Sequence, residues 1–350
     1  MIGRKCKYRM KAAVYLGNET IETREIDIPE IKENEVLVKV KASGICGTDV
    51  HIFYGQPGAT QPNVPVVLGH EFAGEVVKCG NRVQRLKTGD KVTIDPNIYC
   101  GNCDYCMNGK KQYCSSMSAI GVNQNGGFEE YCAVPESQAI LLDEAVDYEE
   151  AAMAEPVACC LHGIDNIQIV PGDTVCVVGG GAIGQIMAQL ARISGASKVV
   201  VSEPVEMRRE LAISLGVDAV INPMAGDVKE QIKAVLGKDY TDVVIECVGK
   251  PVAVSQALYI AGRGSKVLIF SVPNPGDTCE LPLDDVFRKE LTIKGSFVNP
   301  DTQYRAVRLI NSGLLKLKPL ITHRYPVEQL EDAIKKQMEN DSVKVIIQLD

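Results

Sequence analysis

Apolar and polar positions follow one pattern over the first 150 residues and another beyond them. Residues 10–15 and 36–41 alternate in the manner of half-buried strands, separated by turn- and charge-rich stretches around Gly17-Asn18 and Ile31-Lys32-Glu33-Asn34. Pro62 to Pro65 makes a stiff turn, Val66-Val67-Leu68 leads into Gly69-His70-Glu71-Phe72, and Val76-Val77 continues a strand. Gly89-Asp90 turns the chain into Lys91-Val92, and residues 131–134 form one more strand after Gly126-Gly127-Phe128. Short strands at glycine-rich intervals predict a compact β-rich unit.

Near Glu149 the period changes. Residues 149–154 favour helix, with Pro156 close behind, and strand-like and helical patterns then alternate. Strands are expected at 174–178, 198–201, 219–221, 243–246 and 266–270, and helices at 182–193, 206–215 and 228–235, with 254–260 continuing the series. Apolar strands joined by helices of this length predict a mostly parallel sheet covered on both faces, a doubly wound α/β unit. A Pro/Gly-rich connection spans 273–282; a strand at 291–295, helices at 304–311 and 327–338, and a last strand at 343–348 complete the chain. No internal repeat or low-complexity tract interrupts it.

Length and composition narrow the classes. With 350 residues the chain has room for two domains with large cores. A net charge of −8 argues against a dedicated nucleic-acid binder. Apolar runs such as 175–178 fall far short of a membrane span, and no charged leader with an apolar core is read at the start. Thirteen cysteines, an odd number, fit reduced thiols and metal ligands in a cytoplasm.

Four of those cysteines lie together: Cys100-Gly-Asn-Cys103-Asp-Tyr-Cys106, then Cys114. Four thiolates this close fold around one ion at about 2.3 Å per Zn–S bond, a closed coordination that holds structure and does no chemistry. Gly101 and Gly109 permit the tight turns, and the polar 104–111 span has no apolar core of its own, so a metal would supply the order. Core cysteines or disulfides are one alternative. An iron–sulfur cluster is another, although the x3-Cys-Pro continuation of the ferredoxin spacing is missing.

The 174–178 strand runs into Gly179-Gly180-Gly181-Ala182-Ile183-Gly184, matching G-x-G-x-x-G at Gly179, Gly181 and Gly184. Such glycines allow a tight turn and a close backbone approach to a pyrophosphate, with Ala182 and Ile183 opening the helix that faces it. Glu203, at the end of the next strand, is placed to accept hydrogen bonds from both adenosine ribose hydroxyls and to repel a 2′-phosphate, which favours NAD over NADP. Arg208 and Arg209 close behind pull the other way.

A second metal site is suggested by Cys46 in a glycine-flanked loop, by His70 at a strand edge, and by Glu155 before Pro156. Thiolate, imidazole and carboxylate suit a zinc ion with an open position. The bland alternatives are a structural histidine and a helix-end carboxylate. Gly44-Ile45-Cys46-Gly47-Thr48-Asp49-Val50-His51, Gly69-His70-Glu71-Phe72-Ala73-Gly74, the four-cysteine lobe, Ala154-Glu155-Pro156 and the glycine fingerprint occur in one order over nearly the whole chain. In this the chain resembles the zinc-dependent medium-chain alcohol dehydrogenases, in the style of the sorbitol (polyol), butanediol and threonine dehydrogenase branch.

The resemblance implies a β-rich, GroES-like catalytic domain at 1–157 with a structural-zinc lobe at 96–115. It further implies a Rossmann domain at 158–297, a return to the catalytic domain at 298–350, and an active site in the cleft between domains. It implies that Cys46 and His70 bind catalytic zinc, with Glu71 and Glu155 both candidate ligands, and that Cys100, Cys103, Cys106 and Cys114 hold structural zinc. Thr48 would belong to a proton relay and His51 would carry the proton to solvent. Gly179, Gly181, Ala182, Ile183, Gly184 and Glu203 would hold NAD. The reaction would interconvert a polyol or vicinal-diol secondary alcohol and its ketone, with a threonine 3-dehydrogenase-like activity as the alternative. A homotetramer is expected, with a dimer as the alternative. Ile52-Phe53 and Val298-Asn299 depart from the animal sorbitol dehydrogenase pattern, which has Tyr-Trp and Arg-Tyr there, so two polar contacts to a sugar-like chain are expected to be missing. The rival readings are a zinc-free quinone or enoyl reductase and a non-catalytic nucleotide sensor.

Overall fold

The computed structural model describes residues 8–56 and 61–350; positions 1–7 and 57–60, assigned by sequence to the 1–157 segment, lie outside the described residues. The chain separates into two compact units, one comprising residues up to Ala158 together with Asn299–Asp350, the other Cys159–Val298.

The first unit is β-rich. Glu35–Gly44 is its central strand, buried along most of its length because both faces are covered. It lies between Glu71–Cys79 and the final strand Lys344–Gln348, and also pairs with Tyr131–Pro135. Lys91–Ile94 and Ala139–Leu141 extend the sheet on one side and Ile321–Pro326 on the other. Every pairing is antiparallel except that of the last two strands, Ile321–Pro326 and Lys344–Gln348. At the end of the central strand, Gly44 stands opposite Glu71 on one side and opposite Ile346 on the other. The core joins Val36, Val38, Val40, Phe72, Val76, Phe128 and Val345, all at or below 1% exposure.

Two elements of this unit depart from the sequence expectation. Thr20–Asp27 is a strand, although its residues are almost all polar and exposed; it forms because Arg9–Gly17 offers it a full antiparallel ladder. The glycine-flanked segment after Cys46 is not a loop but a two-turn helix, Gly47–Phe53.

The second unit has six parallel strands in the order Ala219–Ile221, Lys198–Ser202, Thr174–Val178, Thr241–Glu246, Ala261–Ile269, Thr292–Gly295. The two strands flanking the point where the order reverses are buried except at the half-buried Asp242, as a sheet covered on both faces requires. The helix Ala182–Ile193 follows the first of them, and its apolar stripe, including Ile186, Met187 and Leu190, is buried. The connection after 270 contains one helix absent from the sequence expectation, Leu283–Lys289, none of whose residues is buried. Among the described residues, no helix is long and apolar enough to cross a membrane.

Candidate active site and metal centres

The first unit gathers Cys46, His70 and Glu71 so that one ligand atom from each lies within 4.8 Å of the others. The strand register explains the meeting. Gly44 and Glu71 are paired, so Cys46, two residues past Gly44, and His70, one before Glu71, emerge at the same sheet end. Cys46 is the N-cap of the Gly47–Phe53 helix, and its N–H donates to Asp49 Oδ2 at 2.9 Å. Asp49, fully buried, presents its other oxygen 3.4 Å from His70 Nδ1, an electrostatic contact too poorly aligned to count as a hydrogen bond. A carboxylate beside a histidine ring nitrogen is the arrangement by which carboxylates orient metal-bound histidines. Burial disfavours charge on His70, yet Asp49 and Cys46 outweigh it and hold the imidazole well above the ordinary histidine range. The field here demands positive charge. A thiolate, an imidazole and a carboxylate converging in such a field suit zinc.

Sequence reasoning assigned no role to two residues that complete this centre. Asp49 sits in a C-x-x-D pattern that mimics a capping box, the signal by which it was discoverable. Lys344 begins the final strand, ahead of the apolar Val345-Ile346-Ile347, and it is 4% exposed. Its ammonium pairs with Glu71 Oε2 and donates to the Ile45 carbonyl at 2.9 Å. Burial opposes the ammonium, but Glu71, Cys46 and Asp49 prevail and raise its pKa.

Thr48 and His51 stand three residues apart on the same short helix, both half-buried, and so share a face. Burial lowers the pKa of His51, keeping the ring neutral at pH 7. Glu155, buried in the first turn of Ala154–Ile167, does not join the Cys46–His70–Glu71 group. Its charge is felt by Asp95, which burial chiefly pushes up to about 7.

The expected substrate-facing positions stand differently. Ile52 and Phe53 are each 1% exposed within the core, and Asn299 is wholly buried. Asn97 donates to Asn299 at 2.5 Å, and Asn299 in turn donates to Gln303 at 3.1 Å. These three side chains are therefore committed to packing and to an internal amide network. Val298 is half-buried with φ +49°, an uncommon conformation for a β-branched residue.

The four thiols Cys100, Cys103, Cys106 and Cys114 also lie within 4.8 Å of one another. The Cys100 and Cys106 sulfurs are 4.0 Å apart, against about 3.8 Å between ligands of a tetrahedral site with 2.3 Å bonds. Backbone N–H groups of Cys106 and Ser115 pull the Cys103 thiol down to about 6, favouring the thiolate a metal needs.

In the second unit, Gly179 follows its strand at φ +103°, and Gly184 packs so closely on the Gly179 carbonyl that any Cβ there would collide with it. Gly181 caps the Ala182–Ile193 helix, so Ala182 and Ile183 form its first turn. Glu203 is 3% exposed; it accepts from Gly180 N–H at 2.6 Å through one oxygen and from Val205 N–H at 2.8 Å through the other. Arg209 donates to the carbonyls of Glu203 and Pro204 at 2.9 and 2.6 Å, which ties its guanidinium to the backbone.

Residues 32–144 match the alcohol dehydrogenase GroES-like domain and residues 182–312 the zinc-binding dehydrogenase domain. Sorbitol dehydrogenase of Bacillus subtilis strain 168 is 32% identical over 97% of both chains. L-threonine 3-dehydrogenase of Caldanaerobacter subterraneus subsp. tengcongensis is 36% identical over 92% of this chain and 93% of its own. A crystal structure from Sinorhizobium meliloti 1021, bound to NADP and assigned only as far as a zinc-binding dehydrogenase, superposes with a TM-score of 0.93 at 38% identity. The match covers 98% of this chain and all of that one. The chain belongs to the zinc-binding dehydrogenases with a GroES-like domain. It is a zinc-binding oxidoreductase of the alcohol dehydrogenase type.

The two metal centres are separable by mutation. Cys46→Ser removes one of two bound zinc ions and abolishes alcohol oxidation while NAD(H) binding persists; Cys103→Ser removes the other and lowers thermal stability. Metal analysis, turnover and cofactor titration of the two variants check this, and full activity in Cys46→Ser contradicts the catalytic assignment.

Proposed function

We propose that the enzyme oxidises a small secondary alcohol carrying a vicinal polar group, a polyol or diol, with NAD⁺ and reduces the corresponding ketone with NADH. The observation that carries this reading is the convergence of Cys46, His70 and Glu71 beside the helix that bears Thr48 and His51. When bound, zinc supplies Lewis acidity to the alcohol oxygen and the nicotinamide accepts the hydride. The chain's own residues do the remainder. Cys46, His70 and Glu71 hold the ion, and Asp49 keeps His70 in its ligating orientation. Thr48 would accept the alcohol's proton while releasing its own hydroxyl proton towards His51, which, neutral at pH 7, would pass a proton to solvent. In this reading Glu71 is the carboxylate of the set, supported by its place in the 4.8 Å group with Cys46 and His70, with Glu155 as the alternative.

In the second unit the turn from Gly179 to Gly184 and the N-terminus of the following helix receive the pyrophosphate, with Ala182 and Ile183 contributing N–H groups. Glu203, pinned by two backbone amides, would accept from the ribose hydroxyls, and its charge would disfavour a 2′-phosphate. The tethering of Arg209 removes one cation from competition for that phosphate.

L-Threonine is the second reading, supported by the threonine dehydrogenase relative, which is 36% identical. The metal-ligand sets weigh against a zinc-free reductase or a non-catalytic sensor. We further infer a cytoplasmic homotetramer, with a dimer as the alternative, that engages neither nucleic acid nor membrane.

Initial rates on sorbitol, xylitol, 2,3-butanediol, threonine and 2-propanol, each with NAD⁺ and NADP⁺, test the reading. A vicinal diol or polyol should win with NAD⁺, and Glu203→Ala should narrow the NAD⁺ preference about tenfold, the effect of losing roughly 1.4 kcal/mol of discrimination. A preference for 2-propanol, or an unchanged cofactor ratio in the variant, contradicts it.

His51 gives a pH prediction. Its lowered pKa keeps the base form available until the pH falls below the ordinary histidine value of about 6.5. Oxidation should therefore lose rate on that acid side as the ring protonates. His51→Gln should remove this limb and lower kcat by about 10- to 100-fold near pH 7; an unchanged profile places the relay elsewhere.

A further inference from the structure

The glycine turn and Glu203 leave one wholly buried acid of the second unit without a role. Glu246 ends the strand Thr241–Glu246, which lies beside the strand that feeds the glycine turn. Burying a carboxyl there costs free energy unless its bonds are needed. One oxygen, Oε1, accepts from the N–H groups of Val248 and Gly249 at 2.6 and 2.8 Å. The Ser271 N–H, past the end of the neighbouring strand Ala261–Ile269, acts on the same carboxyl.

The turns that follow these strands are interlocked. Val178, Glu246 and Ile269 stand in register across three adjacent strands, and the Cys247 N–H donates to the Val178 carbonyl at 2.8 Å. A Cβ on Gly179 would come within 2.7 Å of Val248 Cγ2 and 3.0 Å of the Cys247 carbonyl oxygen. A Cβ on Gly249, where φ is +76°, would lie 2.7 Å from the Val272 carbonyl oxygen. The 247–249 turn is therefore wedged between the glycine turn and the 271–272 segment, and Glu246 ties it from within the sheet. Val248 and Val272 nevertheless stay 43% and 62% exposed. Two apolar side chains are thus held open at the carboxyl end of a doubly wound sheet, where ligands of such sheets bind.

We propose that Glu246 is a positioning residue for the nicotinamide half of the cofactor. The strand order reverses between Thr174–Val178 and Thr241–Glu246. On one side the glycine turn and Glu203 serve the adenosine half; the carboxyl ends of Thr241–Glu246 and Ala261–Ile269, on the other, face the second mononucleotide. By fixing 247–249 and 271–272 as one ledge, Glu246 presents Val248 and Val272 to the apolar nicotinamide riboside. Without its carboxyl the ledge loosens, and cofactor binding must order it. The adenosine end keeps its own tie, from Gly180 N–H to Glu203. The inference rests on the reading that this turn binds NAD(H).

The test is calorimetric titration of the full-length protein with NADH and, separately, with ADP, which lacks the nicotinamide riboside. The emission of bound NADH, which reports the surroundings of the reduced nicotinamide, is a further readout. Glu246→Ala should weaken NADH binding about tenfold, the effect of ordering a loosened turn, and leave ADP affinity within about twofold. Its bound NADH should emit differently from that in the parent. Glu246→Gln keeps an acceptor oxygen for Val248 and Gly249 and should bind NADH within about twofold of the parent. Gly249→Ala disturbs the same ledge without touching the carboxyl, and should show the same split between NADH and ADP even if Glu246→Ala does not fold. Unchanged NADH affinity in Glu246→Ala, equal losses for NADH and ADP in either ledge variant, or a Glu246→Gln protein as weak as a folded Glu246→Ala overturns the proposal. A parent that binds neither NADH nor ADP fails the cofactor reading, and the proposal falls with it. A parent that binds both, with variants indifferent, overturns the proposal alone.

Discussion

Burying charge is expensive, and the first unit buries four ionisable side chains around one point: Asp49, His70, Glu71 and Lys344 are each no more than 6% exposed, with Cys46 at their edge. Each tolerates burial only because another is there. Asp49 serves Cys46 through the backbone and His70 through the ring, and Lys344 serves Glu71. Such a set is stable when its charges balance and costly when one member is lost. Much of the unit's architecture reflects the need to bring them together. The register of Gly44 against Glu71 and Ile346, the missing side chain at Gly44, and the return of the last strand to the first sheet all deliver charges to this place.

The second unit meets a different constraint with the same economy. A dinucleotide's phosphates need bare backbone, so the turn after Val178 is stripped to glycine, and a bare turn needs something to hold it. Glu203 does so by accepting from Gly180 and Val205. Its carboxylate is therefore held stiff, tied to the backbone on both oxygens.

How much of the molecule is legible in the sequence depends on the range of the interactions involved. Ala182–Ile193 and Glu206–Leu215 are legible because their periodicity and terminal signals are local. The four-cysteine lobe is legible because its ligands lie within fifteen residues. Thr20–Asp27 escaped because its ladder with Arg9–Gly17, not its own pattern, makes it a strand. Gly47–Phe53 escaped because glycine and threonine are poor helix formers and the helix depends on Asp49 at its start. The Lys344–Glu71 pair spans 273 residues, and only the tertiary fold reveals it. Asn299 became legible only in the fold, where it is buried in an amide network with Asn97 and Gln303.

The claim on which the rest stands is that one zinc ion is held by Cys46, His70 and Glu71. Anomalous scattering at the zinc edge, from crystals of protein purified without chelator, tests it most directly. Two peaks per chain are expected, one amid the four cysteines and the other about 2.3 Å from Cys46 Sγ and about 2.0–2.2 Å from a His70 nitrogen and one Glu71 oxygen. A chain with zinc in the cysteine lobe and no peak between Cys46 and His70 would contradict it.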